Sequence, residues 1–175
     1  MEQWAFYFDQ SRCVGCYACS VACKDWHNIK AGPVQWRRVT SREQGTYPKV
    51  SLSYLSLSCN HCEKPACVTA CPAGAITKRK DDGIVVVLKD TCLGKGPCDI
   101  LCKKACPYSI PQFGEEKGAK MQMCTFCLKR IVLQQKPVCV EACPMRALDA
   151  GPLGELSKKY GELKQVKGFT YSKKT

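Results

Sequence analysis

Apolar residues along this chain come in short bursts rather than long periodic runs. Trp4 to Phe8 is a mostly aromatic block, Val50 to Leu57 alternates apolar residues with serine, and Ile84 to Leu88 is a β-branched run. Each predicts a short strand. Helical patterning is expected over Tyr17 to Trp26 and Cys127 to Gln135, with shorter turns after Cys67 and Cys98. In the tail, Leu153, Leu156, Tyr160 and Leu163 recur at helical spacing, with Glu155 and Lys159 placed to pair at i,i+4. That pattern predicts an amphipathic helix, packed on this chain or on a partner subunit. Between the first two elements lies a polar stretch, Asn28 to Lys49, containing "GPVQWRRVTSREQGTYP". It reads either as a solvated ribbon or as a docking arm that exposes Trp36 beside Arg37 and Arg38, an interface-like composition. No run approaches the roughly 20 apolar residues of a membrane helix. The N-terminus, with no basic n-region and no long apolar stretch, does not read as a secretory signal.

Composition changes this picture, because 16 cysteines in 175 residues are more than a core needs. Without a secretory signal a disulfide scaffold is disfavoured. The cysteines fall into groups of four. Cys13, Cys16, Cys19 and Cys23 follow C-x2-C-x2-C-x3-C, the bacterial ferredoxin spacing, with Lys24 where proline is usual. Cys59, Cys62, Cys67 and Cys71 follow C-x2-C-x4-C-x3-C-P, and Cys124, Cys127, Cys139 and Cys143 follow C-x2-C-x11-C-x3-C-P. Closely spaced thiolates wrap three corners of an iron-sulfur cube, and the last cysteine of such a motif ligates the other cluster of a pair. Four groups therefore point to two ferredoxin-like pairs and an internal duplication. Zinc knuckles are the alternative, but they have no need of the C-x3-C-P ending.

The remaining group, "CLGKGPCDILCKKACPY", departs from the others. Counted from Cys92, it places Lys95 where a ligand is expected, which would leave a three-iron cluster and an orphan Cys106. Counted from its end, Cys102 and Cys106 repeat the C-x3-C-P ending, and the extra residues form a loop around Gly94-Lys95-Gly96-Pro97 that returns Cys92 to the cube. The second count is preferred because it leaves no cysteine over.

The formal charge of +12 would by itself suggest a nucleic acid or anionic partner. Four cubanes at about −2 each contribute about −8 and leave about +4, so much of the basic excess balances thiolate and sulfide charge. No aromatic-interleaved basic array accompanies it, and no nucleic-acid partner is expected. Catalytic machinery is missing too: there is no nucleophile-base pair, phosphate loop or dinucleotide fingerprint. Of the two histidines, His61 lies inside Cys59-Asn60-His61-Cys62 and reads as tuning or shielding a cluster, while His27 has no obvious partner. Apolar residues following the Cys-Pro turns, Ala75, Ile76, Ile110, Ala147 and Leu148, are expected to cover the cubes from water.

The four groups in this order, opening with "FDQSRCVGCYACSVACKDWHN" and followed by "CNHCEKPACVTACPAGAI", resemble the iron-sulfur electron-transfer subunits of the dimethyl sulfoxide reductase family of molybdenum or tungsten enzymes. The resemblance covers nearly the whole chain and is unspecific for substrate. It implies an α+β fold of two ferredoxin-like modules, 1–27 with 107–150 and 50–106, joined by an arm at 28–49 and followed by a tail at 151–175. It implies four 4Fe-4S clusters with shared ligands. Cys13, Cys16 and Cys19 would join Cys143, and Cys124, Cys127 and Cys139 would join Cys23. Cys59, Cys62 and Cys67 would join Cys106, and Cys92, Cys98 and Cys102 would join Cys71. A 3Fe-4S cluster is the alternative at this last site, since some relatives carry one there. The resemblance also implies a large pterin-bearing catalytic subunit facing the Cys13 cluster and a membrane anchor or other carrier beyond the Cys92 cluster. The chain itself would not span the membrane; it would be cytoplasmic or exported with its partner. A free polyferredoxin or an assembly-type electron donor is the alternative function.

Overall fold

The computed structural model describes residues 2–161 together with two short strand segments, Leu163–Lys164 and Ser172–Lys173. In chain order the elements are β1 (Trp4–Phe8), α1 (Ala18–Trp26), β2 (Arg38–Thr46), β3 (Lys49–Leu57), α2 (Ala66–Thr69), β4 (Ile76–Lys78), β5 (Val85–Val87), α3 (Leu101–Ala105), α4 (Leu128–Val132), α5 (Val138–Glu141), β6 (Leu148–Pro152), α6 (Leu153–Tyr160), β7 (Leu163–Lys164) and β8 (Ser172–Lys173). This is a mixture of small helices and small antiparallel ribbons, α+β in class.

Each strand finds its partner across a cysteine-bearing segment or a tight turn. β1 pairs with β6, Trp4 opposite Pro152 and Phe8 opposite Leu148. β4 pairs with β5, Ile76 opposite Val87. α1 packs against α5, and α2 against α3. The two ribbons have the same parts: each joins a strand that leads into one cysteine group to a strand that follows the Cys-Pro of another. β6 and β4 were not expected as strands, because each is too short and too close to a Cys-Pro turn to alternate visibly.

β1 shows why an aromatic strand suits this place. Its alternate residues face opposite ways, so Trp4 and Phe6 pack on Phe126, with Phe6 stacked at 4.3 Å between centroids. Ala5 and Tyr7 turn to the other side and bury against Leu156 of α6, where Tyr7 stacks on Tyr160 at 3.8 Å. The tail helix thus packs on this chain, and it ends at Tyr160; Leu163, expected to continue it, lies in β7. The expected Glu155–Lys159 pair gives way to a stronger partner: Lys159 reaches Asp149 at 2.8 Å.

The polar stretch holds the largest departure from expectation. Its second half is β2, which pairs with β3 over nine residues from Arg38–Leu57 to Thr46–Lys49. The hairpin's outer half is exposed, with Tyr47 at the tip 93% accessible, while its base is buried. Trp36 and Arg37, expected to be displayed, are 9% and 2% accessible. Tryptophan's area favours burial, and its indole N–H finds Gln122 Oε1 at 3.1 Å. Arg38 donates to the carbonyl oxygen of Tyr108 at 2.6 Å and so straps the hairpin base to the segment after Cys106.

Candidate metal centres

All sixteen cysteines are free thiols, and most are buried or half-buried within the main core. Cys13, Cys16, Cys19 and Cys143 line one cavity. Cys71, Cys92, Cys98 and Cys102 line another of nearly the same size. Lys95 is exposed and does not line this second cavity; its backbone N–H bonds to Ala119 O at 2.8 Å. The extra residues of the group fold away as a loop at Gly94 and Gly96, both at positive φ.

The other two sets are seen from the thiols' neighbours. Burial pushes Cys23 up, and the charges of Cys124, Cys139 and Cys127 add to it while Arg37 opposes it. Cys67 is raised to about 11, first by burial and then by Cys106 and Cys62. Cys62 is raised by burial and by Cys106. Between sets, burial and Cys139 act on Cys19, burial and Cys124 act on Cys59, and burial together with Cys67 acts on Cys102.

Among the described residues no group of three or more Cys, His, Asp or Glu converges closely enough for a single metal ion. Four thiols around a cavity suit instead a cluster whose corners each take one thiolate. The backbone agrees with that chemistry. His61 N–H points to Cys59 Sγ and Phe126 N–H to Cys124 Sγ, both at 3.4 Å, while Ala147 N–H reaches Cys143 Sγ at 3.2 Å and Met121 N–H reaches Cys92 Sγ at 3.5 Å. Tyr17, Ile100 and Cys127 enter α1, α3 and α4 at positive φ, without side-chain caps. Such turns gather backbone donors around an anionic centre, which offsets their steric cost.

The expected cover is in place. Ala75 and Ile76 line the Cys71 cavity, Ala147 and Leu148 line the Cys13 cavity, and Ile110 is buried in the core. His61 is fully buried; Val85 N–H donates to its Nδ1 at 3.0 Å, which leaves the proton on Nε2, and burial lowers its pKa to about 3, so it is neutral. His27 does have a partner: its Nε2 lies 3.3 Å from Cys127 Sγ, and its ring leans on Trp36 at 4.7 Å. Sequence reasoning missed Arg37, Ser56 and Ser58. Arg37 donates to Ser56 Oγ at 3.0 Å and Ser58 Oγ at 2.8 Å, and Ser56 Oγ lies 3.3 Å from Cys19 Sγ. The only signal was the period-two serine pattern before Cys59, which also describes an ordinary half-exposed strand.

Comparison with known proteins agrees with this geometry. Residues 50–153 match the 4Fe-4S dicluster domain, and residues 4–25 match a 4Fe-4S binding domain. The protein is 46% identical to a chain of the anaerobic dimethyl sulfoxide reductase of Escherichia coli K12, over 94% of its own length and 80% of the relative's. It is 38% identical to a subunit of the sulfite dehydrogenase of Allochromatium vinosum, over 84% of its own length and 68% of the relative's. It is 36% identical to the thiosulfate reductase electron transfer subunit PhsB of Salmonella typhi, over 88% and 78%. With its cysteine sets, its 4Fe-4S domains and these relatives, the protein belongs to the family of iron-sulfur electron-transfer subunits that serves dimethyl sulfoxide reductase and its kin.

Proposed function

We propose that this chain relays single electrons along four 4Fe-4S clusters, between a large molybdenum or tungsten pterin subunit and a membrane anchor or other redox partner. Two cavities each lined by four cysteines, Cys13, Cys16, Cys19 and Cys143 in one and Cys71, Cys92, Cys98 and Cys102 in the other, carry this reading, and the influence of Cys139 on Cys19, of Cys124 on Cys59 and of Cys67 on Cys102 supports a linear order. The ligand sets are those already given, with Cys71, Cys92, Cys98 and Cys102 holding a cubane rather than a three-iron cluster, since all four line one cavity. The two ribbons, each flanked by a packed helix pair, support a division into two ferredoxin-like modules, each with a pair of clusters.

When bound, the clusters supply one-electron carriers whose potentials respond to hydrogen bonds at sulfur, burial and nearby charge. The chain's own residues set those conditions. Backbone N–H groups at His61, Phe126, Ala147 and Met121 donate to ligand sulfur, and the residues after the Cys-Pro turns keep water out. The Cys13 end suits the catalytic subunit: Cys16 is exposed there among accessible apolar residues, Val14, Tyr17, Val21 and Met145, and the hairpin base stands over the same loop. The hairpin is then the docking arm. A lone two-stranded ribbon is marginal in water, and its exposed Tyr47, Val50 and Leu52 offer apolar area to a partner. No helix among the described residues is long and apolar enough to cross a membrane.

The test is anaerobic purification from the native host, with iron and acid-labile sulfide counted and EPR spectra taken oxidised and reduced. About 16 irons, interacting reduced signals and a co-purifying large pterin-bearing chain are expected. About 15 irons with an oxidised three-iron signal would overturn the fourth ligand set. An isolated monomer whose partner encounters are salt-sensitive would replace the subunit with a free carrier.

A further inference from the structure

Among the described residues the fully buried cation is Arg37, beside the first two cysteine sets. Arg37 is 2% accessible, and among the described residues no carboxylate pairs with it. Its two terminal nitrogens are held by Ser56 and Ser58, its Nε has no hydrogen-bond partner, and its guanidinium lies over the Phe6 ring, 4.6 Å from the centroid. Burying an unpaired charge is costly, and structures retain one only where opposite charge compensates it. The candidates here are cysteine sulfurs. Burial alone would lower the pKa of Arg37, but Cys139, Cys19, Cys124 and Cys23 outweigh it and hold the group firmly protonated. Cys19 belongs to the first set, and Cys23, Cys124 and Cys139 belong to the second.

We infer that Arg37 is the counter-ion shared by the first two clusters and holds both of their reduction potentials above the value the same cavities would otherwise give. The inference rests on the ligand sets proposed above. Reduction adds one negative charge to a site, and a fixed cation in a low-dielectric surrounding stabilises that charge more than it does the oxidised state. Ser56 adds a directional part. Because Arg37 donates to Ser56 Oγ, the serine keeps its own hydroxyl proton to donate to a Cys19 thiolate. Arg37 therefore reaches the first set through a hydrogen-bonded relay and the second through space alone.

The test is a redox titration followed by EPR on the anaerobic, fully loaded chain, with each signal assigned by the cysteine variant that removes it. Arg37→Gln is expected to lower the reduced-to-oxidised ratio of the first two clusters at least tenfold at fixed poise, equivalent to 59 mV for a one-electron couple. The third and fourth clusters should stay where they were. Arg37→Lys, which keeps the charge, should restore most of the shift, a result that packing alone would not produce. Should Arg37→Gln load less than full iron, Ser56→Ala carries the test, with a downward shift confined to the first cluster. Unchanged potentials, or an equal shift at all four clusters, would overturn the inference. Full iron with four signals would still uphold the relay itself, so the two conclusions fail separately.

Discussion

The two end cavities hold the same number of thiols in nearly the same volume, yet the fold builds them differently. At the Cys13 end the loop is as short as a ferredoxin motif allows, and Gly15 lets the Tyr54 ring of the hairpin lie directly on it. At the Cys92 end the loop is longer, and Gly94 lets it lie against the backbone at Gly118 instead. The surroundings differ as well: the first end carries exposed Val14, Tyr17 and Val21 and has Arg37 behind it, while at the second exposed Lys95, Lys103 and Lys104 stand among exposed Leu93 and Leu101. A cavity of this kind constrains where four sulfurs sit and leaves the chain length between them free. Loop length can therefore drift at one end while the chemistry stays the same.

The sharpest way to break this equivalence is to remove a thiol and the lysine in turn. Cys98→Ala is expected to take iron below about 16 per chain and abolish the far cluster's reduced signal, whereas Lys95→Ala should change neither. An oxidised three-iron signal that gives way to a cubane signal in Lys95→Cys would mean that the lysine stands at a ligand position and that the two ends are not alike.

Next come the glycines. An added Cβ at Gly94, at φ +84, would meet the Gly118 carbonyl oxygen at 2.4 Å, while one at Gly15, at φ +68, would meet the Tyr54 ring at 2.3 Å. A ring can swing aside and a backbone carbonyl cannot. Gly94→Ala is expected to destabilise the loaded chain by about 3 kcal/mol and Gly15→Ala by about 2 kcal/mol, read as a difference in denaturant midpoints. The reverse order would show that the short loop is the more rigid.

Asp149, on β6 at the Cys13 end, receives Lys136, Lys159 and Tyr160 and so fastens α6. Burial would raise its pKa, but the hydrogen bonds from Lys159, Tyr160 and Lys136 outweigh this and hold it well below the ordinary 3.8. A carboxylate with a depressed folded pKa stabilises fully above its unfolded value, and the contribution fades as pH falls through the folded one. Asp149→Asn is expected to cost about 2 kcal/mol at pH 7. The gap from wild type should close as pH drops below 3.8, measured by urea unfolding across pH.

The smallest effect on the isolated chain belongs to the hairpin tip. Tyr47→Ser should move stability by less than about 0.5 kcal/mol and yet reduce recovery of the large subunit on co-purification. An unchanged yield of complex would remove the hairpin from the docking surface and leave the two ends without that distinction.

Much of the site was legible because cysteine is chemically loud. The spacing announced sixteen candidate ligands, and the Cys-Pro endings located the apolar residues Ala75, Ile76, Ala147 and Leu148 that line two of the cavities. Strands β1, β3 and β5 were legible from runs of apolar residues, while β2 was not, since Arg38 to Thr46 is polar and owes its conformation to pairing with β3. Trp36 and Arg37 were read as display residues because a polar neighbourhood usually means solvent. Their burial depends on contacts with Gln122, Ser56 and Ser58, far along the chain.

The sequence by itself determined the inventory: sixteen thiols in four groups, short elements between them, and an internal repeat, because metal chemistry demands particular residues at short range. Only the tertiary structure decided which strands pair, which thiols line a common cavity and where the one buried arginine lies. Those are long-range facts, set by strand pairing and core packing around Phe126 rather than by any local pattern. A spacing records how a loop wraps one cube; the field at that cube comes from residues folded in from elsewhere.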